Sequence, residues 1–159
     1  MTAETTVRDS EAPRPAADNS LMWSDARALG FRPMDDTHEE FYQVAFHVLT
    51  CTEKDVDAAM AAFEAHCVAH FEQEEEWMRT SDFPPSDCHV SEHAAVLKST
   101  REVRAAIQEG RAGVELAHDF GMYCFQWFPG HADYLDSALA AWMSKRTYGG
   151  KPVVFRRNI

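Results

Sequence analysis

The sequence predicts an all-α fold, an antiparallel up-down four-helix bundle. Apolar residues recur at intervals of three and four along most of the chain. No stretch alternates apolar and polar residues between hairpin turns. Breakers rich in Pro and Gly cut the chain into four helical segments joined by short connections, which makes successive helices antiparallel neighbours.

The first segment, MDDTHEEFYQVAFHVLT, pairs Asp36 with Glu39 in a capping-box pattern and predicts a helix over about 37–50, with His38 in its first turn. The second opens on the same kind of signature, Thr52 and Asp55, and runs to about 80, where DFPPSD must break it. Ser86 is placed to cap a third helix, and Gly110 ends it. A fourth begins after Gly113, is interrupted at Pro129-Gly130 and stops at Gly149-Gly150. Pro129 removes the hydrogen bond to the Phe125 carbonyl and predicts a kink just before His131. Residues 1–20 read as a mobile leader, 21–150 as the bundle domain and 151–159 as a tail.

Composition narrows the function classes. With 159 residues and 45% hydrophobic content, the chain matches one domain with a sizeable core. A formal charge of −11 argues against nucleic acid as a partner. No run is long and apolar enough to span a membrane, and the N-terminus lacks a signal core, so a soluble cytoplasmic protein is expected. Cys51, Cys67, Cys88 and Cys124 have no CxxC spacing, and they read as reduced thiols.

The chemistry is carried by histidines. His70 and Glu74 lie one helical turn apart and point the same way, as do His89 and His93. His131 and Asp136 are five apart, a looser match that a tilt of the carboxylate could close, and His38 adds a candidate from the first helix. A solvated helix face explains any one of these pairs. Together they place polar groups beside Phe71, Trp77, Met78 and Trp127, where each unpaired group would cost about 1–3 kcal/mol and a shared metal would remove the cost. Five imidazoles and two carboxylates exceed the four ligands of a structural zinc, and no thiol falls in the pattern. Two borderline metals bridged by carboxylates fit, whereas ferritin-like di-iron bundles use a more carboxylate-rich set.

Over about residues 22–145 the chain resembles the hemerythrin family, specifically its single-domain bacterial members. The resemblance rests on MWSDARALGFRPMDDTHEEF with its Trp23, on HFEQEEEWM, on HVSEH and on WFPGHADYLD. It implies a di-iron site in the bundle core with seven protein ligands: His38, His70, Glu74, His89, His93, His131 and Asp136. One iron would take His89, His93 and His131 and the other His38 and His70. Glu74 and Asp136 would bridge them beside an oxo or hydroxo group. It further implies reversible binding of O2 as a hydroperoxide, by a carrier, store or sensor. Moving two electrons and the bridging proton onto oxygen leaves the net charge of such a buried site unchanged, which favours reversibility. The alternatives are a di-iron enzyme that reduces peroxide or nitric oxide with an electron donor, and an iron-storage module. The oligomeric state is open, with a monomer favoured.

Phe41 and Phe128 lean toward the metal pair at helical spacing, and with Phe71 and Trp127 they form the apolar oxygen pocket that the resemblance implies. Glu72, Gln73 and Glu76 read as the wet side of their helix, and Glu75 as a surface acid ahead of a histidine-bonding role. His47 and His118 fall on the far helical face, as surface or interface residues. His66 shares the stripe of His70 but has no counterpart among the family's ligands, and is expected to be buried or hydrogen-bonded. Cys124 reads as a small core hydrophobe.

Overall fold

A computed structural model describes residues 21–84 and 86–150. The leader 1–20 and the tail 151–159 lie outside the described residues. The helices are α1 (Arg32–Thr50), α2 (Val56–Thr80), α3 (Asp87–Gln108), α4 (Val114–His131) and α5 (Ser137–Tyr148), with one π-helical turn, Ala132–Asp136, joining α4 to α5. There is no strand among the described residues. α1 packs on α2, α2 on α3, α3 on α4, and α4 returns to α1, which closes the antiparallel bundle; α4, the π turn and α5 act as its fourth member.

The predicted second and third helices match in position, with Asp55 and Ser86 as their N-caps and Gly110 in the left-handed region at φ +68° beyond α3. The start of α1 differs. It begins at Arg32 with Pro33 in its first turn, where proline costs no intrahelical bond, so His38 sits in the second turn. Asp36 is not the cap but an exposed partner of Arg32 at 3.6 Å. Asp35 instead accepts from the backbone N–H groups of Leu29 and Gly30 at 2.6 and 3.0 Å, tying the preceding strap to the helix.

The break in the fourth helix also differs from expectation. Pro129 lies inside α4, and the irregular turn follows His131 instead of preceding it. α4 approaches α1 closely because residue 121 is glycine: a Cβ there would come within 2.9 Å of the Leu49 backbone nitrogen. His118, expected at the surface or an interface, donates from Nε2 to the Cys51 carbonyl at 2.8 Å and ties α4 to the end of α1. His47 is exposed. All four cysteines are free, with Cys51, Cys67 and Cys124 buried.

The apolar core comes in two parts. The larger includes Phe41, Phe63, Phe71, Val96, Phe120, Cys124 and Phe128. The smaller gathers Phe31, Met34, Met78, Leu139 and Ala140. Along α1 the order is Met34, His38, Phe41; along α2 it is Phe71, Glu74, Met78; along the fourth member it is Phe128, His131, Asp136, Leu139. A buried polar layer therefore separates the two apolar parts.

Candidate metal centre

That layer consists of His38, His70, Glu74, His89, His93, His131 and Asp136, none more than 3% exposed. Each helix of the bundle contributes by its own periodicity. His70/Glu74 and His89/His93 are one-turn pairs on α2 and α3, and His38 faces inward from α1. On the fourth member an α-helix would leave His131 and Asp136 on different faces. The π turn, with its i→i+5 hydrogen bonding, stacks residues five apart, so His131 Nε2 and Asp136 Oδ1 lie 3.1 Å from each other. Backbone geometry, and not the expected tilt of the carboxylate, closes this pair.

All five imidazoles present Nε2 to the two carboxylates. Glu74 Oε1 lies 3.5 Å from His38 and 3.0 Å from His70, while its Oε2 lies 3.3 Å from His89 and 3.2 Å from His93. Asp136 divides itself in the same way, with Oδ2 3.2 Å from His38 and Oδ1 2.8 Å from His89 and 3.1 Å from His131. Each carboxylate thus turns one oxygen to a two-histidine half and the other to a three-histidine half. His93 Nε2 and His131 Nε2 are 3.2 Å apart, two ring nitrogens directed at the same small volume.

The electrostatics follow from this crowding. Burial alone would lower the basicity of His38 and His89, but the negative charges of Asp136 and Glu74 close beside them outweigh it and raise both to about 9. Burial would likewise raise Glu74 and Asp136, yet the surrounding imidazoles hold both carboxyls well below their usual range. For His70 burial wins over the pull of Glu74, and its basicity falls. Burial, with the His70 and His38 rings beside it, takes His66 down to about 4.

The layer fits a metal on its own terms. His38 Nε2, His89 Nε2, Glu74 Oε2 and both Asp136 oxygens are buried without a hydrogen-bond partner, and such groups cost about 1–3 kcal/mol each when left unsatisfied. Two overlapping sets of ligating atoms lie within 4.8 Å of one another: Glu74, His89, His93, His131 and Asp136 in one, His38, His70 and Glu74 in the other. This nitrogen and oxygen donor set, without thiolate, suits a borderline first-row cation.

Outside the seven, two carboxylates brace the rings from behind. Glu75 Oε1 lies 3.1 Å from His93 Nδ1, which corrects the surface-acid expectation: the side chain is half-exposed but turned back across the α2–α3 seam. Glu92 Oε2 lies 2.6 Å from His131 Nδ1. Glu92 escaped the sequence reading, although its place beside His93 puts it on the adjoining stripe of α3. His66, as expected, is nearly buried, with no place in either ligating set.

The pocket aromatics divide between the halves. Phe41 stacks on Phe128 with ring centroids 4.1 Å apart, and Phe128 meets the His38 ring edge-on at 4.9 Å. Phe71 stacks on His93 at 4.0 Å and Trp127 packs on His131 at 4.5 Å, both at the three-histidine half. A cavity of about 220 Å³ reaches the two-histidine half through His38 and Phe128, and Trp23, Arg27, Tyr42 and Asp133 line its outer part. No helix among the described residues is long and apolar enough to cross a membrane.

Fold and site together define a four-helix bundle protein with a buried histidine–carboxylate cluster able to hold metal. The bacteriohemerythrin of Ralstonia nicotianae is 35% identical over 126 residues, which cover 79% of this chain and 90% of that protein. The chain belongs to the hemerythrin family. No protein-family model matches it, and no solved structure does.

Proposed function

We propose that the chain is a non-heme di-iron protein that binds O2 reversibly, as a cytoplasmic carrier, store or sensor. The observation that carries this reading is the division of Glu74 and Asp136, each with one oxygen on the two-histidine half and the other on the three-histidine half. His38 and His70 would hold one iron and His89, His93 and His131 the other, with both carboxylates shared. Two iron ions held by these residues would supply the two electrons that reversible O2 capture needs.

The protein's own part is positioning and exclusion. The two-histidine half has one imidazole fewer, and it is the half that the cavity beside Phe128 reaches. Phe41 and Phe128 cover it with apolar surface and keep bulk water from delivering protons. Glu75 and Glu92 accept from the outer Nδ1–H groups of His93 and His131 and fix the planes of those rings.

Stopped-flow mixing of the reduced, iron-loaded protein with O2 tests the reading. A long-lived charge-transfer absorbance that disappears under vacuum supports reversible binding. Rapid bleaching coupled to oxidation of an electron donor assigns the site instead to reduction of peroxide or nitric oxide.

A further inference from the structure

His93 and His131 have carboxylates behind them; His70 does not. Its Nε2 faces Glu74 Oε1 at 3.0 Å, while its Nδ1 is buried without a hydrogen-bond partner. A neutral imidazole that offers Nε2 to a cation carries its proton on Nδ1, so His70 presents a buried N–H in need of an acceptor. One turn earlier on α2 stands His66, its ring 5.4 Å from that of His70 and inclined by 68°. Its Nε2 is likewise buried and unpartnered. Its Nδ1 lies 3.7 Å from Glu40 Oε2 on α1, a carboxylate 67% exposed at the bundle surface. Three groups therefore run in sequence from solvent to the two-histidine half.

We infer that His66 is a positioning residue for His70. The His70 Nδ1–H is directed to His66 Nε2, with one water or a small rotation of the His66 ring closing the gap, and the His66 Nδ1–H is directed to the exposed Glu40 carboxylate 3.7 Å away. The proton positions agree at each step: His66 accepts on one nitrogen and donates from the other, as a single neutral tautomer allows. The relay does for His70 what Glu75 and Glu92 do for their rings, with an imidazole set between ligand and carboxylate. It rests on the reading that a metal sits at His70 Nε2. Outer partners of this kind fix the ring plane and raise ligand basicity, and their loss typically weakens metal binding by about 10–100-fold. Because His70 serves the two-histidine half, the effect falls on one of two metals.

The test uses full-length protein loaded with Co(II), whose loss to excess chelator is followed by absorbance. His66→Phe keeps an aromatic ring and removes both nitrogens. It is expected to accelerate one phase of cobalt loss by about 10–100-fold and leave the other unchanged. His66→Gln, which restores an acceptor, should recover most of the difference, and Glu40→Gln at the exposed end should shift the same phase by less. In the Zn(II)-loaded parent, long-range ¹⁵N–¹H NMR should find the His66 proton on Nδ1. Equal rates in parent and His66→Phe overturn the inference, as does equal acceleration of both phases without rescue by Gln. A His66 proton on Nε2 overturns it without any variant. Should the cobalt phases behave as expected while the iron protein fails to bind O2 reversibly, the functional proposal falls and this inference stands; the opposite pair of results separates them equally well.

Discussion

Phe41 and Phe128 lie face to face, with ring centroids 4.1 Å apart and planes 21° from parallel, and the His38 imidazole stands nearly perpendicular to Phe128 at 4.9 Å. α1 and α4 each supply one ring, so the dry wall of the two-histidine half depends on the register between those helices. Phe128→Gln is expected to keep the fold and the metal content, because the cavity beside it can receive the amide. Loss of the oxygenated form should quicken by tenfold or more if the barrier falls by about 1.4 kcal/mol. First-order decay of the charge-transfer absorbance measures this, with circular dichroism and iron content as controls. A variant as long-lived as the parent would reduce the pair to packing.

Metal stoichiometry tests the shared carboxylates. The purified protein should hold two irons per chain. Glu74→Ala should lose at least one, because each Glu74 oxygen faces a different half. His66→Ala should retain both at equilibrium, since His66 belongs to neither ligating set. Elemental analysis showing the reverse would mean that the wrong stripe of α2 has been taken as the ligand face.

The metal-free protein should carry a distinctive pH dependence. His38 and His89 titrate at about 9 in the folded chain, above the ordinary histidine value of about 6.5. Their contribution to stability is fully present below about 6.5 and is lost as pH rises through about 9. Glu74 and Asp136 are depressed, so their contribution is present above the ordinary carboxylate range and disappears as pH falls. His66 and His70 are depressed by burial, so their contribution is lost as pH falls below about 6.5, and chemical denaturation of the metal-free protein should therefore find maximal stability near pH 6.5. At pH 7 both histidines are protonated, so metal binding must expel about two protons. Calorimetry in buffers of different ionisation enthalpy counts them, and a count near zero would remove the raised His38 and His89.

Pro129 touches the same cavity as Phe128, and the irregular turn begins only after His131. Pro129→Ala should accordingly leave iron content intact and change the rate of ligand association, with azide as a convenient probe. Unchanged association would make the proline a detail of packing. Large loss of iron would mean that the proline holds the π turn in place.

Much of this architecture was legible in the sequence because it is periodic. The second and third helices, the one-turn pairs His70/Glu74 and His89/His93, and the buried Cys124 follow from spacing within single helices. What was not legible depends on relations between helices or on local backbone choices that have no period. Glu92 meets His131 across 39 positions, and only the packing of α3 on α4 decides that. The early start of α1 turns on Asp35 bonding backward to Leu29 and Gly30, which competes with the capping-box signal at Asp36. The π turn has no sequence signature beyond the five-residue gap itself.

That turn makes the fourth member one residue longer than an ordinary helix tracing the same path. Tyr134, at its middle, is 84% exposed. Removing Tyr134 would leave His131 and Asp136 four apart, a spacing that a regular α-helix also aligns, and would keep Asp136 in register with Leu139. Excision there should yield a folded chain that still takes up metal. The same excision at Leu116 within α4 would swing everything upstream by about 100° relative to His131 and Phe128. A change of length should therefore be tolerated at this address beside the most constrained residues, and a scan of single-residue deletions should find it by survival of metal uptake.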